Sequence, residues 1–220
     1  MTNSTAGRWP LAVLLAVTLT AAAACSARAQ SVAKQRPGPS ASSAPASDGV
    51  TASPGAGTQR PAPVESNPPG DIPDNIAYVT YRNAAGRYSF LHPEGWAEQA
   101  AAVNVTFTDK LNGIIATSMA ATAAPTLGGA QQEVARLRSS QPAFEFRSAK
   151  AIKLPGGSGV LIVFRRNSAP DPVTGRVFRD EVQRYEVYSA GHAVVLDLFG
   201  AVGSDNVDPY TKISQSLRLA

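Results

Sequence analysis

GRYSFLHPEGW, residues 86–96, gathers one of the chain's two histidines, a glutamate, a proline and a tryptophan into a single short stretch. Two readings compete for it: an acid–base pair, or a strand running into a core. In an extended segment His92 and Glu94 point the same way, which superficially resembles a catalytic pair. Pro93, however, holds the residue before it extended, and Gly95 then turns the chain. Trp96 has enough area to anchor that turn in the core. The stretch therefore reads as structural, with Tyr88, Phe90, Pro93, Gly95 and Trp96 as its signature. His92 is expected to be solvent-facing or merely hydrogen-bonded.

The texture on either side agrees. AYVTYR, VNVTFT, IIATSMA, FEFRSAKAI, GVLIVFRR, RVFRDEVQRYEVYS and HAVVLDLF are short runs rich in β-branched and aromatic residues, separated by Gly, Pro, Asn or Asp. VNVTFT alternates cleanly and predicts a half-buried strand, with Val103, Val105 and Phe107 on one side. Asn112-Gly113 after it predicts a hairpin turn, because both residues tolerate positive φ. Near the C-terminus, a two-residue turn at Ala190-Gly191 places Asp197 opposite Arg184. A turn one residue later would set Asp197 against Glu186, and facing like charges are disfavoured. The first register is chosen, and Arg184–Asp197 is expected as a sheet-face ion pair.

Two helices are predicted. LGGAQQEVARLRSS spaces Ala130, Val134 and Leu137 along one face, with Glu133 and Arg136 one turn apart on a wetter side. DNVDPYTKISQSL offers Asp208 as N-cap and Pro209 at the first helical position, and buries Tyr210, Ile213 and Leu217. Hairpin-linked strands with few inserted helices make an α+β protein, not an alternating βαβ chain.

The N-terminal third is different. Residues 1–24 have the layout of an export signal: a polar start with Arg8, an apolar run from Leu11 to Ala24, then small residues. That run is shorter than the roughly 20 apolar residues a membrane-spanning helix needs. AAAAC resembles a bacterial lipobox and makes Cys25 the expected lipidated N-terminus of the mature protein. The alternative is ordinary cleavage nearby, as after Ala29, which would discard Cys25. Two acyl chains would meet the two-signal requirement for stable anchoring. Residues 25–73 are rich in Pro, Ala, Ser and Gly with almost no large apolar residue, and read as a disordered tether reaching roughly 35–40 Å as a flexible coil. The domain is expected over residues 74–220.

Cys25 is the only cysteine, so neither disulfides nor a cysteine-metal site can be built within the chain. Lys and Arg total 20 against 16 Asp and Glu, but residues 71–220 carry 15 basic and 14 acidic groups. The near-neutral domain predicts no nucleic-acid stripe.

YSFLHPEGW, preceded by the extended YVTYRNAAG, resembles the opening of the PsbP-like fold, in which an aromatic-rich strand runs into a Pro-x-Gly-Trp turn. VTFTDKLN and GSDNVDPYTKISQSL resemble actinobacterial surface lipoproteins built on that domain. The resemblance covers residues 75–217. It implies a central antiparallel sheet with helices packed on both sides, in a family whose members are generally binding or assembly factors. The export signal and the lack of an evident metal cluster depart from the photosynthetic branch.

Enzymatic chemistry is not expected. His92 and His192 are too few and too separated for a zinc site. GGSGV fails as a nucleophile elbow around Ser158, because the second glycine of G-x-S-x-G falls at Val160. No cofactor or metal is predicted. One surface feature is singled out: Arg165, Arg166, Arg176 and Arg179 flank the long NSAPDPVTG connection as a basic cluster for an acidic partner, a lipid headgroup or a wall polymer. The expected protein is lipid-anchored on the extracytoplasmic face of the cell membrane and binds an envelope protein, in a transport or assembly complex. The alternatives are a carrier of a small apolar ligand, held between sheet and helix by residues such as Phe107, Met119 and Leu137, and a hydrolase.

Overall fold

A computed structural model describes residues 59–64 and 70–220. The export signal, Cys25 and most of the tether lie outside the described residues.

The domain holds ten strands and two helices. In chain order they are β1 (Tyr78–Asn83), β2 (Tyr88–Pro93), β3 (Ala97–Ala101), β4 (Asn104–Asp109), β5 (Asn112–Ala120), α1 (Leu127–Ser140), β6 (Glu145–Leu154), β7 (Gly157–Asn167), β8 (Arg179–Ser189), β9 (His192–Ala201), α2 (Val207–Ser216) and β10 (Arg218–Leu219). Seven strands form one antiparallel sheet in the order β3-β4-β5-β9-β8-β7-β6. The remaining three form a separate small sheet, β1-β2-β10. The α+β reading with a helix on each side of a central antiparallel sheet describes this body, which is mostly strand; the separate small sheet was not foreseen.

Strand alternation divides the large sheet's side chains into two sets. On the inner face Val105, Phe107, Ile114, Ala116, Leu196 and Leu198 are fully buried. They pack with Tyr88 and Phe90 of the small sheet and with Tyr210, Ile213 and Leu217 at α2 and its C-terminal end. On the outer face α1 lays Ala130 and Leu137 on Val160, Ile162, Phe164 and Val182. The apolar spacing of α1 accounts for this, and Thr126 caps the helix by accepting a 3.1 Å hydrogen bond from the Gly129 amide.

GRYSFLHPEGW is the edge of the inner core. Tyr88 and Phe90 stack at 6.1 Å, Gly95 turns the chain at φ +83°, and Trp96 is buried. His92 is not solvent-facing: it continues the inward alternation of Tyr88 and Phe90 and lies 3.9 Å from the Phe107 ring, with Nδ1 3.0 Å from the Pro93 carbonyl.

Two predicted boundaries move. The β4–β5 turn is Lys110-Leu111, not Asn112-Gly113, since Asp109 pairs with Asn112. Asn112 is instead buried, donating to the Gly70 carbonyl and accepting from Asn206. Gly113 lies in the strand because the Phe199 ring folds over it; an added Cβ would sit 2.1 Å from that ring. The second helix starts after Asn206, not Asp208, and Asn206 gives its cap no side-chain hydrogen bond. Its amide is already committed to the Ile72 amide, the Gly70 carbonyl and Asn112.

Those contacts also show the chain packing on the body upstream of residue 74. Ile72 is a core residue, and Asn167 at the end of β7 holds the Ala62 amide and the Arg60 carbonyl, each at 2.8 Å.

Candidate functional site

The two faces of the large sheet are covered unequally. In register, Ile115 of β5 faces Asp197 of β9, which faces Arg184 of β8; one step along the strands, Thr117 faces Val195, which faces Glu186. All six point to the outer face. Helix α1 lies over β6 and β7 and meets Val182 and Arg184 of β8 through its side chains, and among the described residues no element packs over β5 and β9 on that side. The result is a groove of about 490 Å³ with Ile115, Thr117, Met119 and Val195 on its floor and Glu133 and Arg136 of α1 along one wall. Met119 is 48% exposed.

Charge in the groove is organised around Arg184. Its Nε and Nη2 donate to the two Asp197 oxygens at 2.8 and 3.1 Å, and its Nη1 donates to Glu133. Glu133 in turn receives a fork from Arg136. Burial opposes the Arg184 charge, and Asp197 and Glu133 more than offset it, so its pKa is raised. Among the described residues the Glu186 side chain makes no hydrogen bond. Burial first, and the Glu133 carboxylate second, push its pKa up. The groove thus offers an apolar floor, a fixed guanidinium and a carboxylate with unused acceptors.

The four arginines expected as one cluster are divided. Arg165 belongs to the inner face and binds Glu181 at 2.9 Å. Arg166 belongs to the outer face, donates to Gln141 at 2.9 Å, lies over the Phe199 ring and faces Asp180 at 3.8 Å. Arg179 is buried, bound to the Ala143 carbonyl and Glu145. Arg176 lies 5.0 Å over the Phe178 ring. Strand alternation is the physical reason: neighbours in sequence leave on opposite faces, where carboxylates from β6 and β8 meet three of the four. The 168–178 connection is itself folded, with Asp171 accepting from the Val173 and Thr174 amides and the Thr174 hydroxyl. Beneath it a second groove of about 360 Å³ contains Lys110, Arg166, Asp180 and Phe199. Burial pushes Asp180 up to about 7 against the pull of Arg166 and Arg179.

Phe107, Met119 and Leu137 do not share a cavity. Phe107 is sealed in the inner core, Leu137 is sealed under α1, and Met119 is on the open surface. The carrier reading loses the site that these three residues would have formed. Ser158, at the start of β7, makes no hydrogen bond to either histidine among the described residues; His92 is engaged by Pro93 and His192 by Arg87.

Helix spacing made Glu133 and Arg136 legible as a pair. Their union with Arg184, Glu186 and Val195 was not, because it depends on where a helix settles on a sheet.

No family model matches the chain, and no curated protein matches it by sequence. Its fold is similar to that of PsbP (CyanoP) from Synechocystis, at 16% identity over 69% of this chain and 98% of that one, with a TM-score of 0.48. It is also similar to the Ran-binding protein Mog1p of Saccharomyces cerevisiae, at 7% identity over 66% and 96% of the two chains and a TM-score of 0.42. A third likeness is to PA94, a Pseudomonas aeruginosa protein of unknown function, at 13% identity over 63% and 94% with a TM-score of 0.41. These likenesses concern fold alone.

Proposed function

We propose that the chain is a non-enzymatic, lipid-anchored exported protein whose domain binds another component of the cell envelope through the open part of the outer sheet face. One observation carries the reading: the strip formed by Ile115, Thr117, Met119 and Val195 beside α1 has no covering element among the described residues, while the opposite side of the same strands is sealed. A half-apolar strip rimmed by fixed charges matches the composition of a protein-binding surface. Cys25 and the tether support confinement at the membrane, where a high effective concentration makes modest affinity sufficient. A partner in a transport or assembly complex is the kind of protein this arrangement serves.

Site-specific photo-crosslinking in intact cells tests it. A crosslinker at Met119 is expected to capture an envelope protein that a crosslinker at exposed Val207 does not. Recovery of lipid or wall fragments alone would remove the protein-partner reading. The mass of the mature N-terminal peptide tests acylation at Cys25 separately.

A further inference from the structure

The small sheet carries an unusual set of charges. Strand pairing puts Arg82 of β1 and Arg218 of β10 on either side of Ser89 of β2. Register partners share a face, and this one is turned away from the inward Tyr81, Tyr88 and Phe90. Two strands apart, the arginine backbones are separated by about 10 Å, so both guanidinium stems can reach one point above Ser89. Arg87 opens β2 from the preceding turn at φ +55°. Its carbonyl is held by the Ala220 amide at 2.9 Å and approached by His192 Nε2 at 3.2 Å. Buried Asn83 closes the turn below, accepting from the Gly86 amide at 2.6 Å and donating to the Ala102 carbonyl at 2.9 Å. The three arginines and Ser89 line a groove of about 380 Å³.

No carboxylate side chain answers these charges. Elsewhere Arg136, Arg147, Arg165, Arg166, Arg179 and Arg184 each have an Asp or Glu partner. Among the described residues Arg82 and Arg87 make no side-chain hydrogen bond or ion pair, and Arg218 uses only Nη1, on the Gln215 and Leu217 carbonyls. Like charges flanking one strand position weaken a sheet; Ala220 with its carboxylate lines the same groove, but among the described residues it forms no ion pair with any of the three guanidiniums. We propose that this groove is a phosphate-binding site, with Arg82, Arg87 and Arg218 donating to the phosphate oxygens and the Ser89 hydroxyl completing the set. Three guanidiniums supply more donors than the two oxygens of a carboxylate can use, whereas a phosphate group offers three strong acceptors and up to about two negative charges. The monoester headgroup of phosphatidic acid and soluble phosphate share this chemistry. The inference is independent of the envelope-partner reading, which concerns the outer face of the other sheet.

The test is arginine footprinting of the full chain with phenylglyoxal, read by peptide mass. Four conditions are compared at equal ionic strength: chloride, inorganic phosphate, phosphatidylcholine vesicles, and vesicles of phosphatidylcholine and phosphatidic acid in equal parts. Modification of Arg82, Arg87 and Arg218 is expected to slow while exposed Arg60 and Arg138 react as before. Selective protection by inorganic phosphate supports a soluble source, and selective protection by vesicles alone supports a headgroup. Unchanged reactivity in every condition, or protection shared equally by Arg60 and Arg138, overturns the site. Arg82→Gln should not lower thermal melting, Arg218→Gln should lower it only slightly through its lost contacts to the Gln215 and Leu217 carbonyls, and each should weaken binding of the protecting ligand about tenfold, the scale of one charge-assisted hydrogen bond. Unaltered affinity in both variants would also overturn it.

Discussion

The inner and outer faces of the seven-stranded sheet are built by the same strands and behave as different materials. On β5 and β9 the residues Ile114, Ala116, Leu196 and Leu198 are sealed, while their neighbours Ile115, Thr117, Val195 and Asp197 line an open groove. The inner face is closed by non-local elements, a second sheet and α2, and at its centre apolar and aromatic side chains pack together with His92 among them. The outer face is closed only where α1 lies, and next to the helix it changes to an ion-pair network. Cohesion and availability are thus separated across one sheet thickness: stability belongs to one side and exposed chemistry to the other.

The sharpest way to break that contrast is on the inner face. Phe107 is fully buried, with Tyr81, Phe90 and His92 around its ring. Phe107→Ala is expected to cost about 3–5 kcal/mol, combining lost transfer energy with the cavity left behind. Urea unfolding measures it, and a loss below about 1 kcal/mol would mean the inner face is not the principal core.

Arg184 marks the border between the regions. Its side chain is 13% exposed and it holds both Asp197 and Glu133. Arg184→Ala leaves two carboxylates facing each other with Glu186 nearby, and should cost about 3 kcal/mol. Replacing both partners, Arg184→Met with Asp197→Leu, removes the stranded charge and is expected to recover most of that loss. A double variant as unstable as the single one would show that the network contributes cohesion in its own right.

Asp180 adds a pH dependence. Burial holds its pKa at about 7, above the unfolded value of 3.8. A carboxyl raised on folding contributes stability that is complete below its unfolded pKa and is lost as pH rises through the folded one. Relative to Asp180→Asn, the unaltered protein should therefore lose melting temperature between about pH 4 and pH 7, then run parallel above that range. Parallel curves throughout would show that Asp180 ionises normally in the folded state.

Much of this body could be read from local chemistry. The β8–β9 register followed from refusing to set Asp197 against Glu186, and facing residues do pair Arg184 with Asp197 across the Ala190-Gly191 turn. Helix α1 followed from the spacing of Ala130, Val134 and Leu137. Local rules failed where a distant group claimed a residue first. Asn112 and Asn206 carry turn and cap signals, yet each is spent on the segment around Gly70 and Ile72. The basic cluster failed because alternation and remote carboxylates divide arginines that are close in sequence. The Arg82–Ser89–Arg218 alignment is the converse, assembled by pairing the last strand with the second. No pattern of spacing encodes which part of a sheet face a helix will leave bare, so the groove beside α1 emerges only in the folded chain.

The smallest stability effect sharpens the comparison most. Met119 sits on the same strand as Ile114 and is 48% exposed. Met119→Lys removes no core contact, so its effect on unfolding should stay within about 0.5 kcal/mol. The same change puts a cation into the apolar strip between Thr117 and the end of β5, where a docking surface would have to desolvate it. Capture from a crosslinker at neighbouring Thr117 is therefore expected to fall sharply in a protein whose stability is unchanged. If Met119→Lys unfolds the domain, the strip is core and the two faces are not divided as described. If it leaves both stability and capture intact, the partner meets the protein elsewhere.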